Sequence, residues 1–96
     1  MLKRLTEDQD TAYRRDGFVY PVQVMSRDAA GKLRFTLERF EREHPEYVSG
    51  MKAQKLHLLM TWMADLVRHS EILDAVEDIL GPNLLCWQTS LFIKEA

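Results

Sequence analysis

Residues 81–96, GPNLLCWQTSLFIKEA, decide how the rest of the chain is read. Gly81 and Pro82 make a turn, because glycine tolerates the conformation that ends a helix and proline cannot continue one. The stretch after them alternates. Leu85, Trp87, Thr89, Leu91 and Ile93 fall on one side, and Leu84, Cys86, Gln88, Ser90, Phe92 and Lys94 on the other. Both sides carry apolar residues, the pattern of a strand covered on both faces. Its one visible partner is the short β-prone run Phe18, Val19 and Tyr20, which Pro21 confines to a sheet edge by removing a ladder donor. The expected fold class is therefore α+β: a mostly helical N-terminal layer, a short strand and one long C-terminal strand. A sheet of two strands is marginal in water, so on this reading the other strands of the sheet are missing.

Working back from the turn, Ile72, Leu73, Val76, Ile79 and Leu80 recur at helical spacing after a capping Ser70, while Glu71, Asp74, Glu77 and Asp78 face water. Trp62, Met63, Leu66 and Val67 place another helix from about Thr61. Between Lys52 and Leu59 the run KLHLLM fits helix and extended chain equally, and EYVSG before it is a loop. Ser26 caps a longer helix with Ala29, Ala30, Leu33, Leu37 and Phe40 on one face, which Pro45 ends by forbidding the helical conformation at His44. At the start, Thr6 and Gln9 make the reciprocal capping pattern, and Glu7 and Asp8 sit at the positive end of the helix dipole. That helix runs from Glu7 to about Asp16, where Gly17 stops it.

With 96 residues there is room for one domain, and an apolar fraction of 46% beside a charged fraction of 29% is ordinary for a globular protein. Thirteen Lys and Arg against fifteen Asp and Glu leave a net charge of −2 with no basic stripe, so nucleic-acid binding lacks its electrostatic footing. No window approaches the ~20 apolar residues of a membrane span, and the acidic start MLKRLTEDQD is unlike a signal peptide. A cytoplasmic location follows, and the lone Cys86 asks for no oxidising compartment.

His44, His57 and His69 are the places to look for a metal. HPE from His44 and HSE from His69 each supply half of a two-His-one-carboxylate set. Both lie at helix ends, where a histidine or an acid is favoured by the dipole, and the structural reading is preferred for each. His57 reads as a polar residue in a half-buried segment, and Cys86 as an inert buried thiol. Met51, Met60, Met63, Trp62 and Trp87 read as core. Lys94 shares a strand face with Gln88, so a cation and an amide could serve one ligand, although a terminal lysine is usually a solvated strand end.

DGFVYP at 16–21 and DLVRHSEILDAVEDILGPNLLCWQTSLFIK at 65–94 together resemble the N-terminal part of phytanoyl-CoA dioxygenase-like proteins. These are Fe(II)- and 2-oxoglutarate-dependent oxygenases, oxidoreductases built on a double-stranded β-helix of the cupin type. The resemblance implies that residues 1–96 are a single partial domain, the helical layer outside the barrel plus an early barrel strand. It implies that Lys94 contacts 2-oxoglutarate and that Gln88 helps to hold a small-molecule substrate. The family's iron ligands, an H-x-D pair and a distal histidine, would follow Lys94, so no residue here takes the metal-binding role. On this reading the chain is an N-terminal fragment, inactive alone, with neither Fe(II) nor 2-oxoglutarate held stably. The alternative is a small helical interaction module that pairs through its C-terminal strand, with its own copy or another partner.

Overall fold

The structure, a computed structural model, describes residues 1–47, 55–91 and 93. Four α-helices run in order: α1 (Glu7–Asp16), α2 (Arg27–Glu43), α3 (Thr61–Val67) and α4 (Ser70–Leu80). Single 3₁₀ turns occupy Pro45–Tyr47 and Leu56–Leu58. Among the described residues there is no strand, and the α+β expectation is corrected to an all-helical architecture. Phe18–Tyr20 is irregular chain whose two rings stack at 6.5 Å, and the Tyr20–Pro21 peptide is cis. Residues 83–91 and Ile93 likewise belong to no helix or ladder.

The physical reason is the shortage of partners that the sequence itself displays. A strand gains its free energy from ladder bonds and cross-strand side-chain pairs, and among the described residues neither run forms a ladder. Nor is the C-terminal run covered on two faces: Leu85 is 87% and Trp87 75% exposed, and Cys86 and Gln88 on the other side are exposed too. Alternation of apolar residues reports a strand only when a sheet exists to receive it.

The chain divides into two compact units, Met1–Met25 with Arg68–Leu85, and Ser26–Val67 with Cys86–Ala96. In the first, α1 starts where Thr6 accepts from the Gln9 backbone N–H while the Gln9 side chain accepts from Thr6 N–H, so two orphan donors are satisfied reciprocally. It stops at Gly17, whose φ of 82° lies in the left-handed region and whose N–H donates to Tyr13. The apolar stripe of α4 ends at Gly81, and its N-cap is His69, not Ser70, with no side-chain cap bond. Leu5 is the buried large apolar side chain of this unit.

In the second unit Ser26 caps α2 through the Ala29 N–H, and His44 closes it with Pro45 next in line. The core is Phe40, Leu56 and Met63, with Tyr47, Met60, Trp62, Leu66 and Leu91 packed against it. Trp62 meets the Phe40 ring edge-on at 6.1 Å and Tyr47 meets it at 6.2 Å, the tilted geometries that aromatic quadrupoles favour. Of the α2 stripe only Phe40 is fully buried. Of the residues assigned to the core, Met63, Met60 and Trp62 take that place, Trp87 is exposed, and Met51 lies outside the described residues.

Candidate functional site

The most organised polar constellation lies in the first unit, on the second half of α4. One carboxylate, that of Asp78, accepts three backbone N–H groups in succession, from Lys3 at 2.7 Å, Arg4 at 2.8 Å and Leu5 at 2.8 Å. Burial alone would raise this carboxyl group, but the three donors outweigh it with help from the Lys3 charge, and Asp78 is held below the usual carboxylate range. Beside it Lys3 Nζ donates to Glu77 at 2.7 Å, which pushes the ammonium above its ordinary value. Arg4 bridges Glu71 at 3.1 Å and donates to the Gln23 carbonyl. Acids expected to face water are thus occupied in holding the segment before α1. The signal was available only in part: an acid on the wet face of a helix reads as solvated until a distant backbone segment is known to reach it.

Next to this clasp an open apolar cleft of ≈ 410 Å³ runs over Leu5, Tyr13, Phe18, Val22, Val76 and Ile79, among others. Its walls come from α1, the irregular chain after Gly17 and the stripe of α4. Small-molecule sites combine such walls with a few convergent polar groups, and the lining here is almost wholly aliphatic and aromatic. It can take apolar surface. It offers no charge to bind an anion.

Lys94 lies outside the described residues. Gln88 is exposed, and its backbone carbonyl faces the Cys86 thiol at 3.7 Å. Cys86 is exposed too, which corrects the expected buried thiol. His44 sits on the surface with Nδ1 at 3.9 Å from Glu46, its ring packed on Phe40 at 5.5 Å. His69 is half-buried at the head of α4, its Nδ1 without a hydrogen-bond partner. His57 is half-buried, as expected, with Nδ1 at 3.3 Å from the Thr89 hydroxyl.

No protein-family model, curated protein or solved structure matches this chain.

Among the described residues no three His, Cys, Asp or Glu side chains come together as a cation would require. The pair His44 and Glu46 supplies one nitrogen and one carboxylate on an open surface. Among the described residues no set of side chains fits the metal. Nor is any helix among the described residues long and apolar enough to cross a membrane.

Proposed function

We propose that these 96 residues correspond to the N-terminal helical portion of a phytanoyl-CoA dioxygenase-like oxygenase. In that family the complete enzyme hydroxylates a small organic substrate with Fe(II), O₂ and 2-oxoglutarate. The observation that carries the reading is the block LDAVEDILGPN at 73–83 leading to Lys94, preceded at the matching distance by DGFVYP. One feature of the fold supports it: among the described residues much apolar surface is left open. Among the described residues Leu5, Phe40, Leu56 and Met63 are the buried apolar ones, while Phe18, Tyr20, Leu58, Leu59, Leu80, Leu85 and Trp87 are each at least 60% exposed. Side chains of this size are ordinarily covered, and a larger domain would cover them.

On this reading Lys94 neutralises a carboxylate of 2-oxoglutarate and Gln88 contributes a directional donor and acceptor to the substrate, both within the complete enzyme. In that family the iron ligands follow the strand that ends in this lysine, so on this reading hydroxylation belongs to the complete enzyme. The decisive test is the coding sequence beyond Ala96. An in-frame H-x-D followed by a distal histidine supports the proposal, and an immediate stop codon in the native gene overturns it. Calorimetric titration of the isolated chain with 2-oxoglutarate is expected to give no heat, in the parent and in Lys94→Ala alike.

The second reading, a small helical interaction module, draws on the same exposed side chains. It requires a partner in place of the rest of a domain. A molar mass by light scattering that rises with concentration would favour it, and a soluble, cooperatively unfolding monomer would count against self-association.

A further inference from the structure

Residues 3–5 form part of the wall of two cavities. Lys3 and Asp78 line an open one of ≈ 400 Å³ and mixed polarity, together with Glu7, Asp10, Glu77, Leu2 and Pro82. Leu5 and Ile79 line the apolar cleft of ≈ 410 Å³. The short segment is thus a partition, and it carries the buried apolar side chain of its unit, Leu5. Three consecutive backbone donors end on the one Asp78 carboxylate.

We propose that Met1–Leu5 is a strap that opens and closes on α4, with the Asp78 carboxylate as its latch. Convergence of three donors on one group makes release concerted: when the charge goes, all three bonds weaken together, and the partition with Leu5 is free to leave the cleft. The groups around the latch are Lys3 and Arg4 from the strap, Glu71, Asp74 and Glu77 from α4, and Glu7 and Asp10 from α1. The ion pairs Lys3–Glu77 and Arg4–Glu71 lie at the surface, where salt and solvent leave such pairs little strength, so they steady the strap without holding it. A carboxylate accepting backbone N–H bonds is the stronger tether. Local openings of this kind cost less than global unfolding and are read directly by amide exchange.

The experiment is residue-resolved hydrogen exchange on the full chain. Asp78→Ala should lower the protection of the Lys3, Arg4 and Leu5 amides about tenfold or more, since each loses a charge-assisted bond, while the α4 amides and the helical circular dichroism stay unchanged. Lys3→Ala should leave the three amides protected. In the parent chain the same amide resonances should shift together as the pH falls through the depressed Asp78 value, before the helices melt. Asp78→Asn should lack that transition. If protection of residues 3–5 survives in Asp78→Ala, or if in the parent it is lost only together with the α4 amides, the strap is not a separate moving part and the proposal is wrong. Should Asp78→Ala fail to fold, the parent titration decides alone, because it needs no substitution.

Discussion

Leu5 and Leu56 are both buried, yet different physics surrounds them. Leu56 is 0% exposed and sits with Phe40 and Met63 in a cluster edged by Tyr47, Trp62 and Leu91. Leu5 lines an open apolar cleft with Tyr13, Val76 and Ile79, while the backbone N–H groups of Lys3, Arg4 and Leu5 end on the Asp78 carboxylate beside the ion pairs of Lys3 and Arg4. One unit is packed, the other stitched. Packing responds to lost volume and is indifferent to pH, whereas stitching responds to charge and tolerates loss of volume wherever the site is already open. The two units therefore have separate weaknesses, and each can be attacked without the other.

The largest effect is expected where packing is densest. Leu56→Ala should destabilise the second unit by about 2–5 kcal/mol, the range for truncating a fully buried leucine whose cavity cannot collapse. Urea denaturation followed by the near-ultraviolet signal of Trp62 checks it, since that ring lies against Phe40. Leu5→Ala beside the open cleft should cost less, and equal losses would mean that the first unit is packed after all.

Acid should do the reverse. Asp78 has a folded value below its unfolded one, so its contribution is fully present above the ordinary carboxylate range and disappears as pH falls through the depressed value. Asp16 is shifted the same way by the Arg15 guanidinium beside it, and it too belongs to the first unit. Below about pH 4 the first unit should loosen while the second persists. Amide resonances of α1 and α4 should then broaden or shift before those of α2. Simultaneous loss of both sets would show that the two kinds of cohesion are not separable.

Much of this contrast was legible residue by residue. Thr6, Gln9 and Gly17 fix both ends of α1, and Ser26 and Pro45 fix α2, because caps act through bonds that span only a few positions. The start of α4 was read one residue late, since Ser70 has the right chemistry and lies inside the helix. What failed was non-local. Trp87 and Leu85 alternate like strand residues, but a strand is a relation between segments and no ladder forms among the described residues. Asp78 failed for the same reason in reverse: its partners stand more than 70 positions away, as with Leu5 at a separation of 73. Of the candidate site, Gln88 stands exposed, and Lys94 falls outside what the structure describes.

Two glycines give a smaller and sharper pair of tests. Gly17 ends α1 at φ 82°, so alanine there should cost about 1 kcal/mol for a left-handed conformation that a side chain disfavours. Gly31 lies inside α2 with open space where its Cβ would be, and alanine there should stabilise by about 0.5–1 kcal/mol through helix propensity. The same substitution thus has opposite signs in the two units. Paired thermal melts measure both, and a loss at Gly31 would show that α2 is not a regular helix at that point.

The smallest effect concerns how residues 86–91 join the packed unit. Leu91 rests against its core, Thr89 meets His57 at 3.3 Å, and the Lys55 ammonium stands 5.6 Å from the Trp87 ring centre. The last of these is a cation over an aromatic face at an exposed site, worth about 0.5 kcal/mol. Lys55→Met keeps the length of the side chain and removes the charge, so it isolates that attraction from simple coverage of the ring. Trp87 fluorescence should shift toward the fully solvated value, with the Leu56 core and the urea midpoint changing little. If instead the midpoint falls by as much as in Leu56→Ala, the segment is not an appendage of the packed unit. It would be part of what holds that unit together, and stitching would then operate in both halves of the chain.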